Sequence, residues 1–378
     1  MGSSTSAPTP VGDIDALITQ LQAIIADPSG CTTGLDDTTR QRLKQLTRAA
    51  SVALEEPFET VQRLVYSLGA ATGLPPAVLA SVVDYLGAQG LLLSEPGEAA
   101  RATGLTRLML APLFQDAVTH FHDNCLPAFA ALDTVLSAPA GGERLNAFQV
   151  GQHSSQDFYT WLETRPVQHG AFHRFMEAQF ASLPTWLDAV DVAAVMRPGE
   201  PDQVAFVDVG GGNGQQIAAL KARIPDLQGR VVLQDRPEVL DRALEIEGME
   251  KMSYDYLTEQ PIKEPDWQTD ARVYYFRQIM HNNDDVTCVR ILASQRLAMS
   301  ADSIVIIDDK CLSDDKPPQD GPGVEYTAAL SIAMEAMFNA QERREAHWRA
   351  LLPRAGLVVK DIRRFTKFED AVIIAAKQ

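Results

Sequence analysis

Asp208-Val209-Gly210-Gly211-Gly212-Asn213-Gly214 is the run in this chain whose residue types and spacing most plainly allow chemistry. It follows a short apolar stretch, Val204 to Val209, and opens a helical pattern from Gln215 to Ile224. Glycines there let the backbone come close to a ligand, and the first turn of a helix offers unpaired N–H groups. Two cofactor classes use such a turn. The dinucleotide fingerprint G-x-G-x-x-G fails, because counted from Gly210 its last position is Gln215. The acid-x-G-x-G-x-G form, met by Asp208, Gly210, Gly212 and Gly214, is instead typical of S-adenosylmethionine (SAM) enzymes. The next apolar run ends at Asp235, 21 residues past Gly214, where a carboxylate can accept both ribose hydroxyls. The plainer alternative for Asp235 is a cap on the helix that starts near Pro237. Glycines and carboxylate together imply a ligand of nucleoside type.

These residues need a frame, and the chain past Pro198 supplies one. Val204–Val209, Arg230–Gln234, Val273–Phe276, Ile304–Ile307 and Ala371–Ala375 read as strands alternating with helical patterns. That alternation predicts an α/β, Rossmann-like domain: a doubly wound, mostly parallel sheet covered on both faces. Before Pro198 the pattern is helical. Ile14, Leu17, Ile18, Leu21, Ile24 and Ile25 recur at helix spacing, and another helix is expected from Pro57 through Leu68. Gly73 to Leu91 reads as turn, helix and a glycine-ended exit into a short strand, the grammar of a winged helix. Its helix from Ala77 to Leu86 carries no Lys or Arg, which favours a dimerisation use over DNA binding. The expected organisation is a disordered tail over 1–12, a helical winged-helix-like domain over 13–198 for dimerisation and substrate covering, and a SAM-binding domain over 199–378.

Composition narrows the partners. The 378 residues carry a formal charge of −17, which repels phosphate backbones and anionic lipid. Nucleic acid and membranes are therefore not expected as partners. No apolar run is long enough to span a bilayer. Cys31, Cys125, Cys288 and Cys311 are scattered without metal-ligand spacing, so no metal is expected and reduced thiols in a cytoplasmic protein are.

Further motifs follow in order: Leu233 to Pro237, Tyr254-Asp255-Tyr256, Tyr275-Phe276-Arg277-Gln278-Ile279-Met280-His281-Asn282, Asp309, and Gln341-Glu342-Arg343. From about Leu54 onward the chain resembles the SAM-dependent O-methyltransferases of the plant caffeate type and their fungal secondary-metabolism relatives. The resemblance implies that the glycine turn holds the methionine moiety and Asp235, beside Arg236, binds ribose. It places Asp255 and Tyr256 against adenine and the backbone near Arg277 at the end of the pocket. It implies a homodimer whose N-terminal half closes over the partner's substrate pocket. The implied substrate is a small aromatic or polyketide-derived molecule.

Transfer of a methyl group to oxygen is an in-line displacement that needs positioning and removal of the hydroxyl proton. A histidine suits that removal at neutral pH. His281 stands just after a strand, at the sheet edge where doubly wound folds bind ligands. By resemblance it is the general base, with Asp309 and Glu342 as the acids that orient it; Asp308 could take the place of Asp309 under a one-residue register change. Phe172, Met176 and Met334 are candidate substrate contacts, as readily plain core as pocket lining, and Phe158, Trp161, Phe175 and Phe180 share that ambiguity.

Three features depart from the family pattern. An aromatic residue usual after the His-Asn pair is replaced by Asn283. The chain between Ser67 and Gly69 is shorter than in relatives. His120 and His122 enter a helix that borders the substrate pocket in relatives, and at i, i+2 only one of them can face it. A fungal side branch keeps SAM but catalyses pericyclic or dehydration reactions, with the sulfonium charge as an electrostatic stabiliser. Retention of His281 favours methyl transfer; the short N-terminal half and His120/His122 favour the pericyclase alternative. A non-catalytic SAM-binding scaffold is the third reading, and the joint presence of His281, Asp309 and Glu342 argues against it.

Overall fold

The computed structural model describes residues 14–27, 34–54, 76–93, 101–138, 145–179, 183–196, 203–263, 271–315 and 323–378. The expected tail over 1–12, the helix from Pro57 to Leu68, the Ser67–Gly69 junction and Phe180 lie outside the described residues. The described residues form two compact units, one ending at Met109 and one running from Leu110 to Gln378. The change of grammar near 198–203 falls inside the second unit.

In the first unit the helices Ile14–Ala26, Asp37–Leu54 and Pro76–Ala88 precede a two-residue hairpin of β1 (Leu92–Leu93) and β2 (Arg101–Ala102). The glycine-ended exit read from the sequence is present. Gly90 has φ +75°, and beyond it the Leu91 N–H donates to the Leu86 carbonyl at 2.9 Å. A left-handed residue satisfies the last helical carbonyls in this way at no steric cost when it is glycine.

The second unit begins with helices. Pro112–Thr119 runs into a π-turn, His120–Cys125, and then into Leu126–Ser137. The Leu126 N–H reaches the Phe121 carbonyl. Pro127 accounts for the widening: its ring would clash with the carbonyl four residues back in α geometry, and it has no N–H to donate. The expected plain helix around His120 and His122 is therefore a π-turn, which changes where the two rings point. Helices Phe158–Glu163 and Pro166–Gln179 complete an apolar core of Phe148, Phe158, Trp161 and Leu162, joined by Ala336 and Met337.

The sheet follows: β3 (Val204–Val209), β4 (Arg230–Asp235), β5 (Met249–Ser253), β6 (Ala271–Arg277), β7 (Ile304–Leu312), β8 (Arg343–Arg344), β9 (Leu357–Arg364) and β10 (Asp370–Lys377). Their order is β5-β4-β3-β6-β7-β10-β9, with β8 pairing beside β7. Pairings among β3 to β7 are parallel, and β10 runs antiparallel to β7 and β9. The chain steps from β3 outward to β5 and then returns to β6 on the other side of β3. That reversal opens a crevice at the carboxyl ends of β3 and β6.

Strand periodicity decides the packing. Val207, Val209, Tyr274, Phe276, Val305 and Ile307 point into one buried cluster. Phe206, Val273, Tyr275 and Ile306 point into the other, where Trp186 stacks on Phe206 with ring centroids 5.7 Å apart. Both faces are thus covered, as the uninterrupted apolar runs required. β5 and β9 were not legible as strands. Met249-Glu250-Lys251-Met252-Ser253 lies at one edge and Leu357–Arg364 at the other, so charged side chains reach solvent and dilute the apolar signal. Among the described residues no helix is long and apolar enough to cross a membrane, and Cys125, Cys288 and Cys311 are buried free thiols.

Candidate active site

The glycine turn sits at the carboxyl end of β3. The N–H groups of Gly210 and Gly211 donate to the Gln234 carbonyl at 2.8 and 3.3 Å, tying the turn to the end of β4. At Gly211 an added Cβ would lie 2.4 Å from Asp208 Cγ and 2.6 Å from Leu233 Cδ1, so no side chain fits. Gly212 has φ +61° and nothing within 4 Å of its missing Cβ, so the apex of the turn faces open space. Gly214, also left-handed at φ 87°, is the N-cap of the helix Gln215–Arg223.

Asp208 lies beneath this turn with no exposed surface, and neither of its carboxylate oxygens has a hydrogen-bond partner. Burial, then the charge of Asp235, pushes it up to about 8, with Arg277 pulling the other way. Asp235 accepts from the Gly212 N–H through Oδ2 and from the Arg236 N–H through Oδ1, both at 2.8 Å. Burial raises its pKa against those two backbone bonds. A buried orphan carboxylate, a second carboxylate at the tip of the next strand and an open glycine apex suit a ligand that brings donors and positive charge. SAM has both, in its ribose hydroxyls, ammonium and sulfonium.

The remaining expected cofactor residues divide. Tyr256 comes within 3.8 Å of the position of a Gly210 Cβ, and burial raises its pKa. Asp255 is exposed and its carboxylate accepts from the Leu257 N–H at 2.9 Å. The Arg236 guanidinium points outward to Glu163 at 2.9 Å and Glu238 at 3.2 Å. Arg277 Nε lies 3.3 Å from Asp308 Oδ2, which also accepts the Tyr275 hydroxyl at 2.6 Å. Burial lifts Asp308 to about 6, with Arg277 and Tyr275 opposing.

The reacting end is built on the exit from β6. Gln278 has φ +53°, its N–H donating to the Asp308 carbonyl at 3.1 Å, and a 3₁₀ turn over Met280–Asn282 follows. His281 is 9% exposed, and its Nδ1 lies 2.9 Å from Oε1 of Glu342, itself 5% exposed. Burial pulls the imidazole pKa down, but the Glu342 charge, its hydrogen bond and the charge of Asp309 outweigh it, so the net shift is upward. With Nδ1 committed to Glu342, Nε2 is the nitrogen able to take a proton. Asp309 makes no hydrogen bond to the ring. Its Oδ2 accepts the Met280 N–H at 3.1 Å, holding the backbone beside the histidine. Burial raises Asp309 to about 7; His281 lowers it and Glu342 raises it.

His281, Arg277, Gln278, Asp308, Asp309 and Lys310 line a small pocket together with the apolar Leu183, Pro184, Leu330 and Phe365. Lys310 Nζ is paired with Asp370 at 2.6 Å. The expected substrate contacts do not gather there. His120 is buried in a box of Phe121, Phe158, Phe172 and Phe175, with Nδ1 2.9 Å from the Asn124 amide. Burial lowers it to about 4, the state of a neutral core imidazole. His122 points away, 46% exposed and 2.8 Å from Asp123. Met176 accepts a contact from the Gln179 amide at 3.1 Å, and Met334 is buried.

Two site residues escaped the sequence reading. Tyr159 accepts from the Asn282 amide at 3.0 Å and stacks on Phe338; burial, then Tyr256 and Asp235, raise its pKa. It therefore adjoins the His281 turn, and an isolated Tyr in a helical pattern carries no signal of that. Arg343 adjoins Glu342 and has a wholly buried side chain; its place in the Gln341-Glu342-Arg343 motif was the available clue.

Residues 194–358 match the O-methyltransferase domain family. An O-methyltransferase of Penicillium ochrochloron is 30% identical over 340 residues, covering 85% of this chain and 82% of its own. Two solved structures share the fold. One, described as a pericyclic reaction enzyme, has a TM-score of 0.69 and 22% identity over 96% of this chain and 100% of that one. The other, LepI in complex with SAM, has a TM-score of 0.70 and 21% identity over the same shares, 96% and 100%.

Proposed function

The chain belongs to the O-methyltransferase family, and from that premise we propose that it transfers a methyl group from SAM to a hydroxyl of an aromatic or polyketide-derived small molecule, with His281 as the general base. The observation that carries the reading is the buried His281–Glu342 pair, 2.9 Å apart, at the carboxyl end of β6 beside the glycine turn.

SAM, when bound, supplies an electrophilic methyl group on a sulfonium. The glycine turn, Asp208 and Asp235 would hold it, and Tyr256 and Tyr159 would flank it. His281 Nε2 takes the hydroxyl proton, Glu342 stabilises the imidazolium that results, and Asp309 fixes the backbone that carries the ring. A carboxylate bonded to the far nitrogen both selects the tautomer and strengthens the base. Leu183, Leu330 and Phe365 would offer apolar wall to the acceptor.

Residues 13–198 are proposed as the dimerisation and substrate-covering part and 199–378 as the SAM-binding part of a cytoplasmic homodimer. The exposed Ile14, Leu17, Ile18 and Ile25 on the first helix support self-association, which light scattering tests. The function is tested by incubating purified protein with SAM and candidate acceptors while following product mass. A product heavier by one CH₂, with one S-adenosylhomocysteine formed per turnover, is expected. An isomer of unchanged mass formed without consumption of SAM overturns methyl transfer in favour of pericyclic chemistry.

A further inference from the structure

The turn that carries His281 is held by a side chain that the mechanism above does not use. Arg343, on the short strand β8, has no exposed side-chain surface and spends its donors on three acceptors. Nη1 donates to the Met280 carbonyl at 2.8 Å, Nη2 to the Asn283 carbonyl at 2.7 Å, and Nε to Asp285 Oδ1 at 3.0 Å. The two carbonyls flank His281 on either side. The guanidinium is fixed in turn: Trp348 lies 5.4 Å from it, and Asp285 is shared with His347, whose Nε2 is 2.7 Å from Asp285 Oδ2. Asp285 is the first residue of the helix Asp285–Ala298, a rigid element.

Neighbouring residues thus divide the work. Glu342 aims the ring through Nδ1, and Arg343 clamps the backbone from which the ring hangs. Only a planar fork of five N–H donors can reach two carbonyls and a carboxylate at once; an ammonium cannot reproduce that geometry.

We propose that Arg343, braced by Asp285 and His347, is a positioning residue that sets the His281 imidazole for proton abstraction, an inference that rests on His281 being the base. Displacing a catalytic group by a fraction of an ångström to an ångström is enough to lower turnover by one to two orders of magnitude.

The test uses the full chain labelled with ¹⁵N-histidine. In the wild type the Nδ1 proton bonded to Glu342 gives a downfield resonance that His281→Ala removes. Arg343→Lys and Asp285→Asn are expected to shift or broaden it, and to lower kcat by about tenfold or more while the acceptor KM changes little. The kcat deficit should shrink with more acidic phenols, which need less help from a base; a general loss of fold would not discriminate among phenols. Because Arg343 is buried and its variant can fail to fold, His347→Ala provides an independent arm at a side chain that is 30% exposed. It should shift the resonance, and His347→Gln, which restores an N–H donor to Asp285, should return it. Folded variants with an unmoved resonance and wild-type kcat overturn the inference. Full methylation by His281→Ala overturns the base assignment itself, so the two failures are distinguishable.

Discussion

Glu342→Gln isolates the contribution of charge to the His281 base. The amide keeps the shape and still presents an oxygen at the position 2.9 Å from Nδ1, so the ring loses an ionic partner but not its orientation. At that separation, and an effective dielectric of ~20, unit charges attract by about 6 kcal/mol. Desolvation offsets most of that, and a hydrogen bond to a charged group contributes ~1.5–3 kcal/mol against ~1 for a neutral one. The surplus, about 1–2 kcal/mol, favours the protonated ring. The sign follows from the causes acting on the ring. Burial is the largest and pulls down, while Glu342 is the main influence holding the imidazole above its usual value. In the wild type, activity should therefore rise with pH through a midpoint above ~6.5, as the base loses its proton. In Glu342→Gln the midpoint should move down, and the plateau rate should fall by about tenfold because the weaker base abstracts less readily. The assay is kcat/KM against pH from about 5 to 9, with the folded fraction checked by circular dichroism. An unchanged midpoint and plateau in folded Glu342→Gln would refute the argument that this carboxylate tunes His281.

Four other substitutions probe the cofactor side. Asp235→Ala removes the acceptor proposed for ribose and should weaken SAM binding by about 1–3 kcal/mol in calorimetry; unaltered affinity would reject that role. Gly211→Ala should lower stability by about 1–3 kcal/mol in denaturant titration, since the new methyl meets Asp208 and Leu233. Gly212→Ala, with open space but a left-handed backbone, should cost only about 1 kcal/mol, and the reverse order would contradict the packing. Asp208 titrates near 3.8 unfolded and is pushed up to about 8 in the fold. The folded state thus binds its proton more tightly, and stability should decline as pH rises through that window. Asp208→Asn should flatten the decline measured by thermal midpoint; equal slopes in both proteins would remove Asp208 as its cause.

Much of the sheet was legible because its central strands are buried on both faces. Val204–Val209 is read from sequence with the same limits that β3 adopts. The helix read from Pro237 is present as Pro237–Leu240, whereas the edge strands β5 and β9 were less visible, since half-exposed strands leave weak periodicity. At the site, types and spacing picked out the glycine turn, Asp235 and His281, all of which stand at strand ends where chain order and spatial order agree. His120 shows the opposite case. Its identity suggested chemistry, but Pro127 widens the preceding turn, and the ring is packed among four phenylalanines and held by Asn124.

The amino-acid order by itself determined the α/β alternation, the cofactor turn and its paired carboxylate, because each is a local pattern with a period or spacing of its own. Only the tertiary structure shows how Glu342 and Asp309 stand relative to His281. Glu342 lies 61 positions away along the chain and reaches the ring only because β8 pairs beside β7. Asp309, the nearer acid in sequence, was turned instead to the Met280 N–H by the register of β6 against β7. Such assignments depend on which strand ends meet at the crevice, and that is fixed by strand order and burial rather than by any short-range signal.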